Sequence, residues 1–203
     1  MKKNSFTPIS KIGEFELIKK ITNNVISYQK TTKLGVGDDA AVVSFSKNKN
    51  LLVSTDMLVE GIHFDCTYTP LKHLGYKSIV VNVSDISAMN ALPTQATVSI
   101  AIPNKFSVEM IQEIYDGIKL ACKNYSVDLV GGDTTATAGP LVICVNILGE
   151  PFGPKLSLRS GAKNNDVVIA TGSLGAAYLG LQILEREKLV FKDNINVQPD
   201  LNS

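Results

Sequence analysis

The sequence contains no tryptophan, and aromatic residues of all kinds make up only 6% of its 203 positions. It therefore offers no aromatic platform on which nucleic-acid bases could stack. It also lacks an excess of either charge, with 20 Lys and Arg against 19 Asp and Glu and a formal net charge of +1. Such a balance indicates neither a nucleic acid nor an anionic membrane surface as a partner.

Cysteines and long apolar runs are scarce as well. The three cysteines (Cys66, Cys122 and Cys144) are widely spaced and fit reduced thiols better than a disulfide framework or a zinc site. No apolar run approaches the ~20 residues of a membrane-spanning helix, and no apolar core of a signal peptide follows Lys2 and Lys3. We therefore expect a cytoplasmic protein without a membrane partner, and 44% hydrophobic residues suffice for a substantial core.

Aspartates in small-residue surroundings are the most informative feature that the sequence does contain. Asp38 and Asp39 adjoin each other between glycines and a β-rich run, and Asp56, Asp85 and Asp133 follow in similar settings. Neighbouring carboxylates repel each other unless they share a cation or a proton. Taken alone, the first pair is better explained as an ordinary polar turn. Taken together with Ser and Thr hydroxyls, the aspartates predict an oxygen-only site of the kind that binds Mg²⁺.

Hydrophobic periodicity predicts alternating helices and strands over the first 150 residues. A helix is expected over Gly13–Ser27, and a second one from Thr69, as N-cap, and Pro70 to about Asn90. One face of that second helix should carry Leu74, Ser78, Val81, Asp85 and Ala88. A third helix should start at Ser107 and bury Ile111, Ile114, Ile118 and Ala121. The strands are predicted at 42–45, 51–55, 95–103, 128–130 and 141–148, the first two joined as a hairpin.

Two of the aspartates are expected where predicted strands end. Asp56 directly follows the second strand, and Asp133 follows the short strand at 128–130. A Gly- and Pro-containing stretch at 151–155 then looks like the exit from a first domain covering 1–150. Beyond it we expect a strand at 167–171, a tight turn at 172–175 and a helix at 176–187. One strand and one helix cannot bury a core of their own, so 151–203 is interpreted as the incomplete beginning of a second domain.

Three further residues have both a structural and a functional interpretation. Arg159 could bind a nucleotide phosphate or simply be a surface arginine at the domain junction. His63 could be a capped structural histidine, or it could reach a substrate held near Asp56. Tyr115 is better explained by periodicity as an aromatic at the edge of the core. Neither histidine has an evident serine or cysteine partner, so no nucleophilic triad is predicted.

The motifs together resemble a known family. Gly35–Ala41, with the sequence Gly-Val-Gly-Asp-Asp-Ala-Ala, is similar to the ATP-binding superfamily of aminoimidazole ribonucleotide synthetase, selenophosphate synthetase and a hydrogenase-maturation protein. Ser54–Phe64 narrows the resemblance to the thiamine-monophosphate kinase family. The supporting motifs are Leu74–Lys77, Val81–Asp85 with Ala88 and Met89, Gly131–Thr135, Leu158–Lys163 and Asp166. The resemblance runs from Gly13 to about Leu184.

The resemblance implies an ATP-dependent kinase that phosphorylates thiamine monophosphate to thiamine diphosphate by direct transfer, with several Mg²⁺ ions. The Mg²⁺ ligands that it implies are Asp38 (in the ligand set or directly behind it), Asp39, Ser54, Thr55, Asp56, Asp85 and Asp133. The implied nucleotide contacts are Tyr115, Gly132, Asp133 and Arg159, and His63 is the implied contact to the thiamine phosphate. No catalytic residue beyond these ligands is implied.

The family also implies an α+β fold and a homodimer, in which N-terminal sheets of two subunits form a barrel. The second, α/β domain begins within this sequence, and the expected later Ser-Asp-Gly segment with its substrate contacts is not in it. Two alternatives stay open. One is another ATP-using enzyme of the superfamily, although no cysteine precedes Cys66 as selenophosphate synthetase would require. The other is a non-catalytic nucleotide-binding dimerisation module.

Overall fold

The computed structural model describes residues 28–193 except 36, 47 and 48, together with Glu16, Lys19 and Asn23. The helix expected over 13–27 lies outside the described residues apart from those three, so it stays a prediction. The described part is a mixed α/β structure in which one six-stranded sheet carries two long helices.

The first three strands form an antiparallel meander. β1 covers Thr32–Leu34, β2 covers Ala41–Ser46 and β3 covers Lys49–Val59. β2 and β3 pair from Ala41 opposite Val53 to Ser46 opposite Lys49, which confirms the predicted hairpin. β3 is longer than predicted, so Asp56 lies within this strand and does not follow it.

The other half of the sheet contains both antiparallel and parallel pairs. β4 covers Ala91–Pro103, β5 covers Asp128–Thr137 and β6 covers Val142–Pro151. The strand order is β1-β2-β3-β6-β4-β5, with β6 antiparallel to both of its neighbours and β5 parallel to β4. β5 extends well past the predicted residues 128–130, so Asp133 lies inside this edge strand, which is almost entirely exposed.

Two helices cover one face of the sheet. α1 runs over Leu71–Ala88 and α2 over Val108–Tyr125. As predicted, Ser107 caps α2: its hydroxyl accepts the backbone N–H of Met110 at 3.3 Å, and Ile114, Ile118 and Ala121 are buried, whereas Ile111 is only half-buried. α1 begins one residue later than predicted, with Pro70 and not Thr69 as the N-cap.

The buried face of α1 is also rotated from the predicted one. Its buried residues are Leu74, Gly75, Ser78, Ile79, Asn82, Val83 and Ile86, whereas Ala88 is exposed. The helix is in contact with both the sheet and α2. Packing on two sides widens the buried face beyond one stripe, and a single-stripe pattern cannot anticipate that.

α1 and α2 approach each other unusually closely where two glycines face backbone. A Cβ added to Gly75 would lie 1.9 Å from the carbonyl oxygen of Ile114, and one added to Gly117 would lie 1.9 Å from that of Lys72. No larger residue fits at either position unless the helices separate. These glycines therefore fix the distance between the two helices.

The chain after β6 is mostly exposed over residues 152–190. A short 3₁₀ turn covers Arg159–Gly161 and α3 covers Ala176–Asp193, which confirms the predicted helix and extends it. The strand expected at 167–171 is wrong: these residues form no regular structure, and Val167, Val168 and Ile169 are more than 80% exposed. An apolar run forms a strand only when a neighbouring strand pairs with it, and none of the described strands does. Within the described residues, no helix is both long and apolar enough to cross a bilayer.

Candidate functional site

An acidic cluster forms where the turn before β2, the middle of β3 and the last turns of α1 meet. Ser54 and Asp56 are two residues apart on β3, so both side chains face the helices. The hydroxyl of Ser54 lies 2.9 Å from Asp85 Oδ2 on α1 and 3.1 Å from the carbonyl oxygen of Asp39. This buried hydroxyl therefore joins all three elements.

Electrostatics show that the carboxylates of this cluster influence one another. Burial raises the pKa of Asp85, and the negative charges of Asp56 and Asp39 raise it further, against the hydrogen bond from Ser54 and the charge of Arg159. Negative charge is thus concentrated where solvent is partly excluded. Such a site is stabilised by an added positive charge.

Arg159 supplies one positive charge to this cluster from the 3₁₀ turn. Its Nε donates to Asp39 Oδ1 at 2.9 Å, and its Nη2 donates to the same oxygen. Its backbone N–H donates to Asp38 Oδ2 at 3.2 Å, while Asp38 Oδ1 accepts the N–H of Asp39 at 3.0 Å. Both oxygens of Asp38 are therefore engaged by backbone N–H groups, so this residue shapes the turn.

The donor set fits a hard divalent cation in charge and in chemistry. Asp39, Ser54, Asp56 and Asp85 offer only oxygen atoms, which suit Mg²⁺. Among the residues that the structure describes, no three His, Cys, Asp or Glu side chains stand together closely enough to hold an ion. Asp39 Oδ1 instead receives Arg159, so a cation that takes this oxygen as a ligand has to displace the guanidinium.

Two of the predicted metal ligands lie on the other side of the sheet. Thr55 alternates with Ser54 and Asp56, so its side chain faces away from α1, where its hydroxyl lies 3.7 Å from Cys144 Sγ. Asp133 pairs in register with Ser99, which also faces away from α1, and it is exposed. The structure therefore does not bring Thr55 and Asp133 together with the acidic cluster.

Gly132, beside Asp133, lies unusually close to the neighbouring strand. A Cβ at this position would be 1.8 Å from the carbonyl oxygen of Val98 on β4. The glycine is needed here for this close approach, which keeps β5, and Asp133 with it, tightly against β4.

His63 has the contact expected of a structural histidine and also borders a cavity. Its Nδ1 accepts the backbone N–H of Val59 at 3.0 Å, so the ring closes the turn after β3. It also lines a cavity of about 600 Å³ between residues 61–69, Lys77 and α3. The structural role is thus present, and the histidine still borders a space large enough for a small molecule.

Two polar contacts tie α3 to the loop beside this cavity. The ammonium of Lys188 bonds Asp65 and, together with the Thr67 hydroxyl and N–H, holds the pKa of Asp65 well below its usual range. The Tyr68 hydroxyl donates to Glu185 at 2.5 Å, which raises the pKa of Tyr68 to about 12.

Tyr115 lies at a third place. It is half-buried on α2 and lines a cavity of about 350 Å³ together with Ile102, Phe106, Ile111 and Lys119. The predicted core-edge position is confirmed, since Tyr115 packs against the core cluster. The open space beside it is mostly apolar, as a flat aromatic ligand would require.

Sequence reasoning missed several residues around these sites. Lys77 and Lys188 line the His63 cavity, and Met89 and Asn90 at the end of α1 contact the segments that carry Asp39 and Arg159. Asn90 had a usable signal, because Asn just after a helix often takes the left-handed cap conformation. Lys77 belongs to the Leu74–Lys77 motif, which carried no assigned role, and Lys188 had no signal because it is distant from the other site residues in sequence.

Comparison with known proteins identifies the family of this chain. Residues 37–150 match the family described as "AIR synthase related protein, N-terminal domain". The chain belongs to this AIR synthase related family. The matched segment starts at Gly37, after β1, and ends one residue before the end of β6, so it includes the other five strands of the sheet, α1, α2 and all of the acidic cluster except Arg159.

Members of the AIR synthase related family that resemble this chain include thiamine-monophosphate kinases. That of Bacillus subtilis (strain 168) is 40% identical over 176 residues, covering 87% of this chain and 54% of the relative. That of Buchnera aphidicola subsp. Schizaphis graminum (strain Sg) is 41% identical over 185 residues, covering 91% and 55%. The chain thus spans about half the length of the curated relatives it matches.

The solved structure "AaThiL complexed with AMPPCP and TMP" has a similar fold. It superposes with a TM-score of 0.79 at 34% sequence identity, covering 96% of this chain and 58% of the other. The similarity extends beyond the matched domain and includes most of the chain after β6.

Proposed function

We propose that this chain is the ATP- and Mg²⁺-binding part of a thiamine-monophosphate kinase, which transfers the γ-phosphoryl group of ATP to thiamine monophosphate. The main support for this proposal is that Asp39, Ser54, Asp56 and Asp85 meet on one face of the sheet. Arg159 adds a positive charge there that can be exchanged for a bound cation. The similarity to thiamine-monophosphate kinases and to the complex with the ATP analogue AMPPCP supports it.

The proposed reaction requires little proton transfer from the protein. A phosphate oxygen of thiamine monophosphate forms a bond to the γ-phosphorus, the bond to the β,γ-bridging oxygen breaks, and ADP and thiamine diphosphate result. The second pKa of a phosphate monoester is about 6, so the attacking oxygen is already ionised at neutral pH. A general base is therefore unnecessary, in agreement with a site built from binding residues only.

The residues of this chain would bind and orient the reacting groups. Asp39, Asp56 and Asp85 would hold the cation, and Ser54 would fix the rotamer of Asp85 through its hydrogen bond. Arg159 would exchange Asp39 for a phosphate oxygen, a ligand its planar guanidinium suits equally well. Bound Mg²⁺ would supply charge neutralisation at the transferred phosphoryl group.

The other predicted contacts belong to the same proposal. The mostly apolar cavity at Tyr115 would accept the adenine, and the cavity at His63, with Lys77 and Lys188 on its wall, would accept the phosphate of the thiamine substrate. Asp38 would support the cation site from the turn. Thr55, Gly132 and Asp133 would join the site from the opposite face of the sheet, through a second subunit.

The proposed architecture also includes that second subunit. We propose that the outer sheet face pairs with its copy in a homodimer and closes a barrel. In support, Met57 on this face is 54% exposed, and Val130 on the edge strand is 59% exposed. We further propose a first domain over 1–150, the start of a second over 151–203, and a cytoplasmic location.

Calorimetric titration with AMPPCP, with and without Mg²⁺, tests the nucleotide site. We expect AMPPCP binding to require Mg²⁺. Asp56→Asn and Asp133→Asn should each weaken this binding at least about tenfold, which is the effect of losing one charge-assisted contact. Asp128→Asn is the matched control, because it removes an exposed carboxylate from the same strand as Asp133. Unchanged affinity in both site variants would refute the metal-site assignment.

Phosphoryl transfer separates the proposed kinase from a binding module. Labelled thiamine diphosphate formed from γ-labelled ATP and thiamine monophosphate, with the full-length protein, supports the kinase. Saturable AMPPCP binding without transfer to any acceptor would instead favour the nucleotide-binding dimerisation module. The specific observation for that second candidate is that the matched domain by itself contains all of the acidic cluster except Arg159.

A further inference from the structure

We infer that Met89 and Asn90, at the C-terminal end of α1, are positioning residues for the contact between Asp39 and Arg159. The inference rests on the proposed function, in which this pair belongs to the nucleotide site. Neither residue is a ligand there; each acts through the backbone segments that carry the pair.

Met89 holds the aspartate segment. Its side chain is completely buried, and its sulfur accepts the backbone N–H of Ala40, the residue after Asp39, at 3.0 Å. The Met89 carbonyl accepts the N–H of Ser157 at 3.2 Å. Met89 is thus bonded to both chain segments of the site. Ala40 lies 49 residues before it in the sequence, and Ser157 lies 68 residues after it.

Asn90 holds the arginine segment. Its φ of 58° is left-handed, which lets it end the helix and turn its side chain toward the chain after β6. Its Nδ2 donates to the carbonyl oxygen of Lys155 at 2.9 Å, and its own carbonyl accepts the N–H of Phe152 at 3.0 Å. These bonds fix the backbone that leads into the turn of Arg159.

Together, the hydrogen bonds of Met89 and Asn90 fix the relative positions of the backbone segments that carry Asp39 and Arg159. Arg159 is 58% exposed, and an exposed ion pair by itself contributes little, because ordering a long side chain costs entropy. With both backbones held, only the arginine side chain has to be ordered. The backbone bond from Arg159 N–H to Asp38 Oδ2 shows how closely the two segments are held.

Helix termination alone does not require the side chain of Asn90. Ser126 ends α2 in the same left-handed conformation, with φ 56°, and its N–H bonds the carbonyl of Cys122. Glycine would serve equally well at either cap. The amide bond from Asn90 to Lys155 is therefore additional to capping, and replacement by glycine tests it without straining the backbone.

The first experiment measures hydrogen exchange of the Arg159 Nε–H by NMR in the ligand-free chain. Since this N–H donates to Asp39, we expect exchange about tenfold faster in Asn90→Gly, the equivalent of one net hydrogen bond. Asn90→Asp, which keeps the left-handed preference but loses the donor, should behave alike. Ser126→Gly is the matched control and should exchange like the parent. If the Arg159 Nε–H exchanged at the parent's rate in both Asn90 variants, the inference would be overturned.

The second experiment titrates the same variants with AMPPCP and Mg²⁺. We expect about tenfold weaker binding in Asn90→Gly and no further loss when Asn90→Gly is added to Arg159→Ala, because the two residues act in series. Additive losses in that double-variant cycle would overturn the inference. Absence of binding by the parent would refute the proposed function of the chain, while the exchange measurement still decides the role of Asn90.

Discussion

Replacing Gly75 or Gly117 by alanine should force α1 and α2 apart. Each added Cβ would lie 1.9 Å from a backbone oxygen, and a real Cβ keeps at least 3.0 Å, so the helices must separate by about 1.1 Å. A gap of this size forfeits about half of the dispersion energy across the contact. Overpacking against rigid backbone should cost about 3 kcal/mol. Alanine returns about 1 kcal/mol through its higher helix propensity, leaving a net loss of about 2 kcal/mol.

Urea and thermal unfolding measure this loss. For a chain of this length, 2 kcal/mol corresponds to a Tm lower by about 4–8 °C. Gly180→Ala in α3 is the control, because its Cβ would meet nothing within 4 Å. The double variant should lose less than the sum of the single losses, since one separation relieves both clashes. A Tm equal to or above that of the parent for Gly75→Ala and Gly117→Ala would refute the close-packing argument.

Three further predictions concern charge, pH and assembly. Asp85→Asn removes one of three mutually repelling carboxylates, so Tm at pH 7 should rise while Mg²⁺-dependent AMPPCP affinity falls; a lower Tm would contradict the repulsion. Tyr68 has its pKa raised to about 12 by the bond to Glu185, so the stability it adds is complete below the ordinary value of 10 and is lost as pH rises through 12. The hydrogen bond with Tyr76 also raises the pKa of Tyr125, so ultraviolet titration of Tyr68→Phe should show one late-ionising tyrosine fewer than the parent; an unchanged number would show that Tyr68 is not one of them. Met57→Lys on the outer sheet face should convert the proposed dimer into a monomer in light scattering, and a parent-like dimer mass would exclude this face as the dimer interface.

Local signals in the sequence predicted the elements well. Ser107 was recognisable as a helix cap, and alternation identified the strand around Val98 and Ile100, because both patterns depend on neighbouring residues only. The strand ends were less predictable. β3 and β5 continue through Asp56 and Asp133 because partner strands pair with them there, and the sequence does not say which strands are neighbours.

The candidate site was predictable in composition but not in geometry. Ser54, Thr55 and Asp56 form one motif, yet strand alternation directs Thr55 to the opposite face. The approach of Arg159 to Asp39 joins residues 120 positions apart, and periodicity carries no information at that distance. The expected strand at 167–171 failed for the same reason, since an apolar run alone does not specify a partner.

The position of β6 has a consequence for the order in which the sheet can form. β6 lies between β3 and β4, although it follows both in the sequence, and among the strands that the structure describes it alone connects β1-β2-β3 to β4-β5. On a ribosome that adds about 5–20 residues per second, the two halves must wait several seconds without their common neighbour. Pairing over such sequence separations also slows refolding. During that interval β3 and β4 are open edges, so this is when the chain is most exposed to mispairing with other chains.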